Sequence, residues 1–565
     1  MPGAEESHEC RHRTGVLAFL SCCFCKVVRV DLSLLPAMDR AERYDRQIRV
    51  WGDAGQERLE DAHVCVINSS ALGTESLKSL VLPGIGAFTL IDGKNCTVRD
   101  LGRNFFVTED QVRKNVNRAE ACSMLLRDLN HAVEGNYVSE DISDVLNRTE
   151  DLGHFFSTYS LVIAADLSYG PVLQKVASAC YSAKVPLMIC RINGLFGLVR
   201  IIVPEHLIEN SRDGVDSKQL SNLCLSDPFP ELVEYAAKFD LDALDDFSHK
   251  HVPYVVLLVK ASMDWKNRNS LVRIVERRDV EGIRELLESW RRSNEEENFD
   301  EALRKAYLVR FSPERNVLSS EAFDARGGED GRGPSSSLNG SFWLFVASVR
   351  KFIEEEGRLP VSGKLPDMTS DTESYVGLQR VYQSKSRKDS EKIASYVDKI
   401  AHDTRTETMS ATQVQYFTNL APYLSVQRTR PLEDELKSCS ADLERALKEE
   451  SSIAHLYIFF RAVDMYLSES LGNIVEDSSK HFVELQAKSM QILSEMGMPP
   501  GSVNIWREGL LEFLRYDGSE IHSVASILGG IIAQESVKLL TRQFVPVKNT
   551  IIFNGANATT SVLEL

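Results

Sequence analysis

The first residues that could do chemistry lie in the turn after the first apolar strand, Asn68-Ser69-Ser70-Ala71-Leu72-Gly73. A nucleotide-binding strand–turn–helix wants glycines there, because only a backbone without Cβ lets the amides close on a phosphate at the helix N-terminus. Only the last glycine is present, so the turn reads as a weak phosphate cradle. Two other patterns suggest metal or thiol chemistry. His249 and His251 form an H-x-H, but no acidic or cysteine partner is spaced to complete a metal site, and His251-Val252-Pro253 reads better as entry to a strand. Cys22 and Cys25 form one C-x-x-C with no second pair, so no metal is expected there either. Cysteine totals 11; four lie before residue 38 and the others stand singly, several inside apolar strands, as with Cys65 and Cys190. That is the usage of reduced, intracellular thiols.

The elements that position these residues follow from periodicity. His63–Asn68 reads as a strand, Leu72–Leu82 has helical spacing and ends at Pro83-Gly84, and Ala87–Asp92 reads as a second strand. Strand, helix and strand in about thirty residues is a βαβ unit, which implies a parallel sheet. Further strands are expected at Ser160–Ala165, Pro186–Cys190 and Leu198–Val203, with Val252–Val259 as one last apolar run. The pattern then turns helical: Ile283, Leu286, Leu287 and Trp290 share a face, as do Ile393, Tyr396, Val397 and Ile400. Ala325–Ser341 reads as a mobile polar loop. The α/β signature returns with a helix over about Glu520–Thr541 and strands near Thr550–Phe553 and Ser561–Leu565. The expected fold is therefore a doubly wound, Rossmann-like α/β domain with a large helical insertion. Its parts are 38–260, an insertion over 261–515, and a return over 516–565.

With 565 residues the chain exceeds one ordinary core, and its 43% hydrophobic and 26% charged content is that of a folded protein. The net charge of −17 argues against sequence-independent nucleic-acid binding, which needs cations to displace phosphate counterions. No uninterrupted apolar run reaches about 18 residues, so no membrane partner is expected. The apolar stretch Gly15–Cys25 lacks a cleavage site after it, and Met38 stands before the first organised segment. Residues 1–37 are thus expected to be a disordered extension, and the protein to be cytoplasmic, with a nuclear pool also compatible.

Tyr44-Asp45-Arg46-Gln47-Ile48-Arg49-Val50-Trp51-Gly52, then Gly55-Gln56 and the βαβ unit, resemble the N-terminus of ubiquitin-activating and MoeB/ThiF-type adenylating proteins. Leu82-Pro83-Gly84-Ile85-Gly86, Asp92, Asp100–Phe106 and Asn117-Arg118-Ala119-Glu120 continue the resemblance. So do Pro228–Leu232, His251-Val252-Pro253 and the closing Gly529–Lys538. The order of these motifs, with a long helical insertion and no ubiquitin-fold tail, is most similar to the regulatory half of heterodimeric activating enzymes, in the neddylation branch. The insertion then corresponds to a remnant of the catalytic-cysteine domain.

In that family the active half binds Mg-ATP and adenylates the C-terminal glycine of a ubiquitin-like modifier. It uses a Gly-rich turn, a ribose-binding Asp, an Arg and a Lys near the phosphates, and an Asp for magnesium. The resemblance puts Asp92 at the ribose position. It puts Arg103 at the Arg position if the loop after Asp100 is shortened, and Asp166 about one residue from the metal Asp's register. Arg118 stands where Lys is expected, a bulkier, forked group in place of a compact point charge. The set resembles a decayed site. No cofactor is then expected on this chain alone, and ATP and magnesium fall to a catalytic partner subunit. The alternative is that Asp92, Arg103 and Asp166 serve only as strand-end caps or ion pairs.

The family's thioester cysteine precedes Thr, and here only Cys96 does so, in the α/β half; Cys224 and Cys439 lack that context. The nucleophile is therefore expected on another chain. Arg46 resembles the Arg that reaches across the dimer to the partner's ATP as an arginine finger; the alternative is a surface Arg on a helix over Arg40–Arg49. Arg49 is expected to be structural. In the closing helix Ala525, Gly529 and Ala533 leave a small-residue stripe, a candidate interface facing either the neighbouring sheet or the partner. The implied role is a regulatory subunit that meets the catalytic subunit, the modifier and, through the complex, a conjugating enzyme. A self-sufficient nucleotide-dependent enzyme, a pure scaffold and a regulatory subunit for SUMO remain the rivals.

Overall fold

The computed structural model describes residues 40–211, 223–271, 274, 276–310, 340–449, 451–469 and 478–565. Residues 1–37 with their four cysteines, and 325–339 of the expected polar loop, lie outside the described residues. Helix α1 (Arg40–Glu60) runs through a kink at Gly52, whose φ of 73° suits glycine. It leads into β1 (His63–Ile67), α2 (Ala71–Val81) and β2 (Ala87–Ile91). The other strands are β3 (Glu134–Val138), β4 (Leu161–Ala165), β5 (Leu187–Asn193), β6 (Phe196–Ile202), β7 (His206–Ile208), β8 (Ser425–Gln427), β9 (Thr550–Asn554) and β10 (Thr559–Leu563).

Eight strands form one sheet in the order β10-β9-β6-β5-β4-β1-β2-β3. From β5 to β3 all neighbours are parallel, with Val64 beside Leu161 and His63 beside Ala87. β6, β9 and β10 extend it antiparallel, which strand composition alone did not reveal. β4, β5 and β6 are buried throughout and β1 and β2 nearly so, as expected for strands covered on both faces. β3 is an exposed edge without an apolar run, so the sequence did not announce it. The chain leaves β1 toward β2 on one side and β4 lies on the other, so the β1/β4 boundary is the point where strand order reverses. Open α/β sheets bind ligands beyond the strand carboxyl ends at such a point.

Two expectations need correction. Val252–Val259 is not strand-like: it opens the helix Tyr254–Asn269, and His251 follows a short helix rather than entering a strand. Pro253 stands just before the first turn, where its missing N–H costs no helical hydrogen bond. Tyr254 to Val259 are all buried, and an apolar run buried on every side has no period to read. The boundaries also move. One compact unit ends its first segment at Pro204 and adds Thr429–Thr541 and Pro546–Leu565; the other is Glu205–Arg428 with Arg542–Val545. The reason is packing. Leu443, Tyr457, Phe460 and Leu510, from the expected insertion, share a core with Phe196, Leu198 and Ile552 of the sheet. Tyr254 to Val259, assigned to the α/β part, instead build a core with Ile283, Leu287 and Tyr382. Among the described residues, that second unit is helical apart from the pair β7–β8.

A helix of 20 residues, His522–Thr541, is long and apolar enough to cross a membrane. It packs instead as a core helix, with Val524, Leu528 and Ile532 in the same cluster as Leu72 and Leu77 of α2.

Candidate functional site

Asn68, Asp92 and Asp166 directly follow β1, β2 and β4, three adjacent parallel strands. The topology therefore brings Asp92 and Asp166 to one carboxyl edge, where the turn into α2 lies between them.

Asp92 is 2% exposed and its oxygens are engaged. Oδ2 accepts from the Ser69 amide at 2.8 Å and from Arg118 Nε at 2.7 Å, and Oδ1 accepts from the Lys94 amide at 3.0 Å. Arg118 opens the helix Arg118–Arg127, and its second contact is to Asp100 at 3.2 Å. Burial opposes the Arg118 charge, but Asp92 and Asp100 outweigh it and hold the guanidinium pKa above its usual value. The substitution of Arg for Lys thus has a structural consequence: the longer fork lies on the carboxylate at the ribose position and ties it to the Asp100 loop.

Asp166 sits in left-handed backbone with φ of 51°. It accepts from the Ser70 hydroxyl at 2.9 Å and from the Ile192 amide at 3.0 Å, and Glu520 is a close acidic neighbour. Burial, then the neighbouring Glu520 carboxyl, holds Asp166 well above the usual carboxylate range, against Arg191 and Ser70, which favour ionisation. A carboxyl whose ionisation is disfavoured is a poorer magnesium ligand. Glu520 meanwhile takes the Ala71 amide at 3.3 Å and faces the Leu72 amide at 3.5 Å, at the start of α2. Sequence reasoning missed Glu520: it lies 449 positions from Ala71, and no local pattern marks it.

Arg103 does not join this set. It is half-buried in the loop after Asp100, its carbonyl accepts from His522 Nδ1 at 3.0 Å, and among the described residues its guanidinium makes no ion pair.

The arginines of α1 separate clearly. Arg40 pairs with Glu60 at 2.8 Å, Arg43 donates to Asn130 Oδ1 at 3.1 Å and Arg49 pairs with Asp45 at 3.0 Å. Arg46 is exposed and has no such partner among the described residues. The helix itself is anchored. Tyr44 is buried and its hydroxyl accepts from Asn130 at 3.0 Å, while Gln56 donates to the Pro83 carbonyl at 3.0 Å.

The small-residue stripe is used inside the chain. Ala525, Gly529 and Ala533 are buried, and a Cβ on Gly529 would lie 2.9 Å from the Glu75 backbone carbonyl carbon in α2. The candidate interface is thereby corrected to a helix–helix contact within this chain, with Gly529 admitting α2.

The thiols are quiet. Burial pushes Cys96 and Cys439 up to about 11 and raises Cys65, Cys122 and Cys180 further, the reverse of an activated nucleophile. His249 bonds Glu296 at 2.7 Å and His251 bonds the Phe247 carbonyl at 2.7 Å. Among the described residues no group of three His, Cys, Asp or Glu is arranged to hold a metal.

The ThiF family pattern matches residues 44–565. The chain belongs to the ThiF family. Several curated relatives share a name. The NEDD8-activating enzyme E1 regulatory subunit of Danio rerio is 34% identical over 550 residues, covering 94% of this chain and 99% of that one. NEDD8-activating enzyme E1 regulatory subunit AXL of Arabidopsis thaliana is 37% identical over 540 residues, covering 93% and 99%. The corresponding Saccharomyces cerevisiae protein is 24% identical over 538 residues, covering 93% and 100%. Within the ThiF family this chain is thus similar, over nearly its full length, to proteins named NEDD8-activating enzyme E1 regulatory subunits. As a ThiF protein it departs from what a bound ATP requires. The turn carries side chains at Ser69, Ser70 and Ala71, Arg118 lies on Asp92, and a carboxylate faces the helix start where a phosphate would need to be. These residues do not fit the nucleotide.

Proposed function

We propose that this chain is the non-catalytic half of a heterodimeric enzyme that activates the NEDD8-type modifier. A catalytic subunit holds ATP and magnesium, adenylates the modifier's C-terminal glycine, and takes it as a thioester on its own cysteine. This chain binds no nucleotide. It contributes a face of the heterodimer and Arg46, and a conjugating enzyme is met through the complex. The observation that carries the reading is that Arg118 is paired with Asp92 and that Glu520 takes the first amide of α2, which leaves the turn closed to a phosphate.

Arg46 serves as a cation donated in trans to the partner's phosphates. A guanidinium with no ion-pair partner among the described residues, on an anchored helix, is available for that task, and Arg does not lose its charge at physiological pH.

The test is ATP–pyrophosphate exchange with the modifier, run with this chain alone, with the catalytic subunit alone, and with both. Activity restricted to the mixture is expected. Exchange by this chain alone would return the self-sufficient enzyme to first place. A heterodimer indifferent to Arg46→Ala would leave the chain as a scaffold.

A further inference from the structure

We propose that Glu520 is the chain's own substitute for a phosphate: with Asp166 it fills the anion position at the start of α2, and its removal uncovers a site for phosphate or pyrophosphate. This rests on the closed-turn reading above and names the side chain that closes it.

The first amides of a helix have no intrahelical acceptor and favour an anion. α2 has 11 residues and no acidic residue in its first turn. Its own cap serves the Gly73 amide through Ser70 Oγ at 3.3 Å. The Ala71 and Leu72 amides are left to the two oxygens of Glu520, as they would be to two oxygens of one phosphate. The Ser69 hydroxyl, in the same turn, is fully buried and has no hydrogen-bond partner among the described residues.

Glu520 is held there by construction. The Gly194 amide donates to the Ser519 carbonyl at 2.6 Å and the Gly518 amide donates to Asn193 Oδ1 at 2.9 Å, which fastens the segment to the β5–β6 turn. Gly194 has φ of 58° and lies against the Tyr516 ring, where a Cβ would collide. On the far side stands Asp166, fixed by the Ser70 hydroxyl and the Ile192 amide.

The Glu520 carboxyl beside it raises the Asp166 pKa, so the two carboxyls resist carrying full charge together. The other groups facing Asp166 do not supply a free cation. Arg191, from β5, is tied to Asp464, with Nη2 at 3.0 Å from Oδ1, and the Cys190 thiol is buried beside it. The helix start is therefore satisfied, and an incoming phosphate meets a carboxylate. Charge repulsion and occupied amides act together to exclude it.

The experiment uses the full chain without its partner, so that no second nucleotide site contributes. Inorganic phosphate and pyrophosphate are titrated by calorimetry into wild type, Glu520→Ala and Glu520→Gln. Glu520→Ala should bind pyrophosphate at least about tenfold more tightly than wild type. Glu520→Gln, which keeps the bulk, should gain less. A folded Glu520→Ala with wild-type affinity would overturn the inference. If Glu520→Ala does not fold, Glu520→Gln decides: it should bind pyrophosphate more tightly than wild type, and wild-type affinity in a folded Glu520→Gln overturns the inference. Pyrophosphate exchange by the wild-type chain alone would instead overturn the proposed function, so the two failures are distinguishable.

Discussion

Arg118 and Arg46 carry the same guanidinium, and their surroundings assign them different tasks. Arg118 is buried between Asp92 and Asp100, and its charge is consumed there; Arg46 is exposed on α1 with its charge unspent. Arg46→Ala in the heterodimer should lower the exchange rate by about a hundredfold with assembly intact, since one well-placed donor to developing charge is worth that much. Pyrophosphate exchange with size-exclusion of the complex checks both halves of the statement. Arg49→Ala, which breaks only an exposed pair with Asp45, should leave stability within about 0.5 kcal/mol. Asp166 gives a pH signature of unusual sign. Its folded pKa lies well above the usual 3.8, so above that pH the folded state holds a proton that the unfolded state has lost. Its stabilising contribution is thus complete below 3.8 and is lost as pH rises through the folded value. Asp166→Asn, which cannot ionise, should match wild type in acid and become the more stable of the two as pH rises, as read by denaturant midpoints across pH.

At the scale of elements, the closing helix shows that two adjacent glycines can have unlike reasons. Gly529 lies against the α2 backbone at Glu75 and Ser76, and Gly530 has open space around its Cβ position. Gly529→Leu should therefore cost about 1–3 kcal/mol through overpacking against backbone that cannot retreat. Gly530→Ala should stabilise the chain by about 1 kcal/mol, because alanine is the better helix former and meets nothing. Thermal unfolding of both variants separates the cases, and loss of heterodimer assembly in Gly530→Ala would place the partner over that exposed face. The spacing of Ala525, Gly529 and Ala533 was legible in sequence, and which neighbour it admits was not. The segment Val252–Val259 carries the complementary lesson. Its residues are apolar in every position, so strand and helix bury them equally, and the outcome rests on Pro253 ending an irregular stretch and on the helical partners around it.

At the scale of the molecule, distant segments are joined by buried charge. Arg200 in β6 and Glu435 in the Leu432–Lys437 helix are both essentially inaccessible; Arg200 Nε lies 2.8 Å from Glu435 Oε2, and Tyr457 donates to Oε1 at 2.9 Å. Arg191 and Asp464 make a second such link from β5. Glu435→Ala should destabilise the sheet unit by about 3–5 kcal/mol by stranding a buried guanidinium, and Arg200→Met with Glu435→Leu should recover much of that loss. Chemical unfolding followed by a probe in the sheet unit tests it. These links are why the helices after Thr429 belong with the sheet, although their periodicity resembles that of the helices before them. The sequence by itself determined the βαβ start, the strand ends that carry Asp92 and Asp166, the missing glycines and the family, because each is written in short-range period and spacing. Only the tertiary structure decided that Arg118 lies on Asp92, that Glu520 stands at the start of α2, and where the units divide. Those contacts join residues tens to hundreds of positions apart, and a charge or a carboxylate has no local pattern that names its partner.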